Sequence, residues 1–97
     1  MALNLICAAL DRGPENPVEK LVLIAIADSA DRDSGEAWPS LATIGRRAGI
    51  DPRSVRRVLR RLEASGWITS ESQTRANGSR RSNLYTVNVR KLGEGRG

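Results

Sequence analysis

The sequence predicts a mainly α fold with a small β-hairpin, and three observations carry that expectation. Two capped helices, Leu41–Ala48 and residues 52–65, are joined by a short turn holding Gly49. Two strand-like stretches follow, 67–72 and 83–89, the second alternating with Tyr85, Val87 and Val89 on one face. Between them lies Asn77-Gly78, the strongest short hairpin signal.

The elements follow in order. Leu3, Ile6 and Leu10 recur at helical spacing, which predicts a short helix over 3–10, and residues 11–16 read as a turn. Asn16 is the N-cap of the next helix, Pro17 its first residue, and Glu19 a capping-box partner. This helix is expected to run to Ala30. Its run Leu21 to Ala27 is apolar nearly all round, which would also suit a buried strand; the cap and the length decide for helix. Residues 31–36 form a polar loop. Asp31 and Asp33 brush against a calcium-loop pattern, but the glycine falls one place early and Ala42 stands where a bidentate glutamate is required.

Ser40 then opens a helix that Gly49 stops. Asp51 caps the next one, Pro52 takes its first position, and Gly66 closes it. Two helices joined by a turn of about three residues containing glycine are the geometry of a helix-turn-helix. Residues 1–90 are expected to be one domain, with three to four helices and a two-stranded hairpin. Residues 91–97 read as a flexible tail or linker stub. No internal repeat is visible.

Composition narrows the function. The 97 residues include no histidine, so the Ser-His and Cys-His couples of nucleophilic catalysis are missing. No glycine loop for a nucleotide phosphate and no cluster of carboxylates is present, so no enzyme is expected. One cysteine, Cys7, neither closes an internal disulfide nor completes a zinc set, and no cofactor or metal is expected. The longest apolar run is seven residues against about 20 needed to cross a bilayer, and no signal peptide is apparent. A cytoplasmic protein without membrane partners is expected.

Charge points to the partner. Residues 1–40 carry three basic and seven acidic groups, a net of −4, while residues 41–97 carry 13 basic and four acidic, a net of +9. Fourteen of the 16 basic residues are arginine, whose planar fork suits phosphate and guanine edges. A GC-rich genome explains arginine over lysine but not the concentration in one half.

On a helical wheel, Val55, Val58, Leu59 and Leu62 form a core-facing stripe. Arg53, Arg57 and Arg60 lie opposite it, flanked by Arg56 and Arg61, with Ser54 near the start. Glu63 is the only acidic residue in the helix interior, so these charges repel one another until an anion meets them. Double-stranded DNA is the expected partner.

The segment Ser40-Leu-Ala-Thr-Ile-Gly-Arg-Arg-Ala-Gly-Ile-Asp51, with Val55, Arg57, Leu62-Glu63 and Gly66-Trp67-Ile68 after it, resembles the winged helix-turn-helix of bacterial and phage replication-initiation proteins and related regulators. That pattern has a leucine-alanine pair where this chain has Ile44-Gly45, a serine cap where it has Asp51, and a threonine where it has Ser54. Lys20 to Asp28, Trp38-Pro39-Ser40 and Asn83-Leu84-Tyr85 are similar too, so the resemblance covers roughly residues 17–89.

The resemblance implies sequence-specific binding of double-stranded DNA, with residues 52–65 in the major groove and the hairpin as a wing, in phage- or plasmid-type replication initiation. Replication proteins or a self-dimer are further partners. A small transcriptional regulator with the same binding mode is the alternative. A winged helix that binds an acidic protein is the third reading, against which stands the lack of apolar anchors over residues 53–61.

Arg53, Ser54, Arg56 and Arg57, nearest the start of the reading helix, are the expected base contacts. Arg46, Arg47, Arg60 and Arg61 are expected on phosphates, with Ser40 at a helix N-terminus and Arg75, Arg80 and Arg81 on the wing. Gly45 is expected to let the two helices approach closely. Trp38 and Trp67 are expected in the core or at its rim.

Overall fold

A computed structural model describes residues 3–74 and 80–93. Helix α1 (Leu3–Arg12) and helix α2 (Pro17–Ser29) form the first pair. Asn16 starts α2 as expected, its Oδ1 accepting from the amides of Val18 and Glu19 at 3.0 Å each. That satisfies two of the four amides a helix leaves orphaned at its start. The apolar run of α2 supplies Val22, Leu23, Ala25, Ile26 and Ala27 to the core. Pro17 at the first turn and the 13-residue length explain why this run is helix and not strand.

A strand that the sequence reading did not foresee follows. In β1 (Glu36–Ala37) the partners of Glu36 and Ala37 are Thr86 and Tyr85. The polar stretch before it folds back on itself: Asp31 accepts from the amides of Asp33 and Ser34, and the Asp31 amide donates to the Glu36 carbonyl. The turn thereby delivers the chain to the sheet edge. Two residues are too few to show alternation in a sequence.

Helix α3 (Leu41–Ala48) and helix α4 (Pro52–Ala64) come next, then strands β2 (Ile68–Thr74) and β3 (Arg80–Val87). The sheet is antiparallel in the order β1-β3-β2, so the expected two-stranded hairpin is part of a three-stranded sheet. The pairing of β2 with β3 shifts register between Glu71 and Gln73. The turn expected at Asn77-Gly78 lies outside the described residues.

One core joins all these elements. Leu5 of α1, Val22, Leu23 and Ile26 of α2, Ile44 of α3, Val55 and Leu62 of α4, and Ile68 and Val87 of the sheet are fully or almost fully buried. Two expectations fail here. Leu92, assigned from sequence to a tail, is 0% exposed, and its carbonyl accepts from Arg12 Nε at 2.6 Å. The packed domain therefore reaches at least Leu92, because an apolar side chain gains about 1.5–3 kcal/mol by leaving water. Trp38 is half exposed, at 50%, and is not among the residues packed against the core. Trp67 does sit at the core rim, with the Lys91 ammonium 4.6 Å from its ring centroid.

Candidate nucleic-acid interface

The site is built on α3, the turn after it, and α4. Ser40 caps α3: its hydroxyl accepts from the Thr43 amide at 3.0 Å and donates to Thr43 Oγ1 at 2.9 Å. Gly49 ends the helix with φ +77°, the left-handed conformation in which glycine avoids a steric penalty. The Gly45 carbonyl then accepts from the amides of both Gly49 and Ile50, at 2.8 and 3.0 Å. The turn is closed by backbone bonds.

Gly45 is where the two helices meet. A Cβ built there would lie 2.6 Å from the Ile50 carbonyl oxygen and 3.4 Å from Val55 Cγ2. The expected close approach is present, and its tightest contact is backbone. That contact fixes how α4 leaves the turn.

Asp51 starts α4, accepting from the amides of Arg53 and Ser54 at 2.8 and 3.1 Å. Its second oxygen accepts from the Ser54 hydroxyl at 3.1 Å. Bonds from Ser54 above all hold the carboxyl below its ordinary pKa. Since the folded value is depressed, the stabilisation is present above the ordinary carboxylate range and fades as pH falls through the folded value.

With α4 started in this way, Val55, Val58, Leu59 and Leu62 are buried, and all five arginines are exposed. The 100° step per residue arranges them in three groups. Arg53, Arg57 and Arg60 point directly away from the core. Arg56 and Glu63 share the flank beside Leu59, and Arg61 shares the other flank with Ser54. The described ion pairs are Arg32–Asp33 and Arg47–Asp28, so none of the five is neutralised by a described carboxylate.

The flank that carries Arg56 opens into a cleft of about 600 Å³ between α4 and the sheet. Pro39, Ser40 and Leu41 line one side, Arg56, Leu59, Arg60 and Glu63 the second, and Ser70, Asn83 and Tyr85 the third. Tyr85 is buried, and its hydroxyl is held above its ordinary pKa chiefly by that burial. The structure thus brings Ser40, Arg56 and Arg60 around one concave surface. Sequence reasoning missed Ser70, Asn83 and Tyr85 there. The alternation that turns Tyr85 inward and the Asn83-Leu84-Tyr85 motif of the resemblance were the signals, and neither gave them a place in the site.

Other expected contacts are placed differently. Arg46 is exposed near the end of α3. Arg47 is exposed but engaged with α2, 3.0 Å from Asp28 Oδ2, 2.7 Å from Ser29 Oγ and 3.4 Å from the Ala25 carbonyl oxygen. It ties α3 to α2. The hydroxyls of Ser40 and Ser54 are likewise occupied by capping. Arg80 and Arg81 lie on β3, paired with Thr74 and Gln73, and Arg75 is outside the described residues.

The helix-turn-helix domain family matches residues 16–68. This chain belongs to that family. The match runs from the cap of α2 through α4 to the start of β2, and with the hairpin behind α4 the fold is a winged helix-turn-helix. A helix-turn-helix is a DNA-binding unit whose second helix reads the major groove. Protein YmfN of Escherichia coli (strain K12) is 38% identical over 58 residues, which are 60% of this chain and 12% of that protein. This chain therefore matches only a small part of the relative's length. No solved structure matches significantly. No described helix is long and apolar enough to cross a membrane.

Proposed function

We propose that this helix-turn-helix domain binds a specific site on double-stranded DNA, with α4 in the major groove and the hairpin alongside as a wing. The observation that carries it is the exposed arc of α4, where five arginines stand without a described acidic partner. Such a surface stores repulsion that phosphates and guanine edges relieve. Arg53, Arg56 and Arg57 are the base contacts, being nearest the start of the helix. Arg46, Arg60 and Arg61 are the phosphate contacts that set its register.

Arg57→Ala should therefore weaken the specific site by about 1–3 kcal/mol and relax the preference at one base pair. Arg61→Ala should weaken all sequences alike and reduce the slope of log K against log[salt] by about one. Equal losses on specific and random DNA for both variants would refute the division.

Arg47 serves as a control. Its bonds to α2 make Arg47→Ala a stability variant, costing about 1–2 kcal/mol and leaving the salt slope of the remaining folded protein unchanged. A slope reduced by one would place Arg47 on a phosphate after all.

The wing has its own test. Replacing Arg75, Arg80 and Arg81 with serine should lower the salt slope by about 2.7. Melting should change little, since the alternating apolar positions Tyr85 and Val87 that anchor β3 in the core are untouched. Unchanged affinity would remove the wing from the interface.

The role in phage- or plasmid-type replication initiation rests on the similarity of the motif in α3 and α4 to initiator domains. Selecting bound duplexes from a random pool tests it. Iterated direct repeats are the expected result, as at an origin; a single palindrome would point to a dimeric transcriptional regulator instead.

A further inference from the structure

We propose that Glu63 is a specificity-determining residue that accepts a hydrogen bond from the N4 amino group of a cytosine in the major groove. The inference rests on the DNA-reading function above and deepens it by naming one base pair. Glu63 is the only acidic side chain on α4, and it shares the cleft wall with Arg56 and Arg60. Despite these neighbours it pairs with neither. Its Oε1 instead accepts from the Ser70 hydroxyl on β2. The carboxylate is thereby fixed to the sheet, and Oε2 has no partner among the described residues.

The choice of donor follows from the chemistry of duplex DNA. Phosphates and deoxyribose ring oxygens only accept, so a carboxylate repels or ignores them. The donors in the major groove are the amino groups of cytosine and adenine. Adenine presents its N7 acceptor beside the amino group, and an acceptor-only carboxylate meets that with repulsion. Cytosine presents no such neighbour. Its paired guanine offers O6 and N7, acceptors that turn a carboxylate towards the cytosine strand.

The test uses the intact chain and the best duplex selected from a random pool, with each position changed in turn to the other three base pairs. The wild type is expected to prefer C·G at one position by tenfold or more. Glu63→Gln should reduce that preference to within about threefold while other positions keep theirs. Its amide oxygen still accepts from Ser70, so melting should not change. Affinity for random duplex should rise severalfold, because one charge that repels phosphates is gone. Glu63→Asp, which keeps the charge but withdraws it by one methylene, should lose the same preference without the rise on random duplex.

Unchanged preference at every position in either folded variant overturns the proposal, as does a wild type with no C·G position. Loss of preference only together with a lowered melting temperature also overturns it, assigning Glu63 to anchoring the helix on the sheet. A wild type that binds no duplex would instead overturn the DNA-reading function itself.

Discussion

Replacing Arg53, Arg56, Arg57 and Arg60 together with alanine is expected to lower affinity for the specific duplex by about 10³-fold or more, with the domain still folded. These four cover the outward arc of α4 and the cleft beside it, and all are exposed. Of these four only Arg60 is assigned to a phosphate, so the salt slope should fall by only about 0.9. Each base-edge hydrogen-bonding pair removed along with them would weaken the specific complex by about 1–3 kcal/mol. The fold should survive because Val55, Val58, Leu59 and Leu62, which hold α4 to the core, are untouched. Alanine is also the better helix former, and the repulsion among the arginines disappears. Melting followed by circular dichroism and a binding titration on the same variant separate the two effects. A folded variant with wild-type affinity would place the DNA elsewhere.

Gly45→Ala, in α3 one turn before Gly49, is expected to destabilise the domain more than the same change at Gly49. The new Cβ would lie 2.6 Å from the Ile50 carbonyl oxygen, and a backbone atom cannot rotate out of the way. Overpacking of this kind costs about 1–3 kcal/mol, occasionally more, and the upper part of that range applies here. With helix propensity counted, about 2 kcal/mol remains, and at about 4–8 °C per kcal/mol for a domain of this size the melting temperature should fall by about 8–16 °C. The gain in helix propensity from glycine to alanine, about 1 kcal/mol, offsets only part of the clash.

Gly49→Ala is the comparison. Nothing lies within 4 Å of its built Cβ, so only the left-handed φ of +77° opposes the change. That costs about 1–2 kcal/mol. A thermal scan of the two variants checks the order: Gly45→Ala melting above Gly49→Ala would mean that the α3–α4 crossing is looser than described.

The helix boundaries were legible because their chemistry is local. Asn16, Ser40 and Asp51 sit within three residues of the amides they cap, and Pro17 and Pro52 mark the first turns. The buried stripe of α4 was legible for the same reason, since 3.6-residue periodicity needs no knowledge of neighbours. Contacts between distant segments left no such trace. Nothing near Arg47 in sequence announces Asp28 and Ser29, so its tie to α2 was not foreseen. Leu92 follows a polar stretch and precedes glycines, which hid a fully buried side chain. Ser40 and Ser54 were legible at the starts of α3 and α4, but not that capping occupies their hydroxyls. Glu63 stood out as the one acidic residue of α4, and only its bond from Ser70 showed what fixes it.

The central claim is that α4 and its flanks meet the backbone and grooves of duplex DNA through their arginines. The most direct measurement is the affinity of the wild-type chain for duplex DNA from low to physiological salt. About five phosphate contacts predict a slope of log K against log[salt] of about −4 to −5. A slope near zero would contradict the account, because the exposed arginine surface of α4 would then have no polyanion to answer.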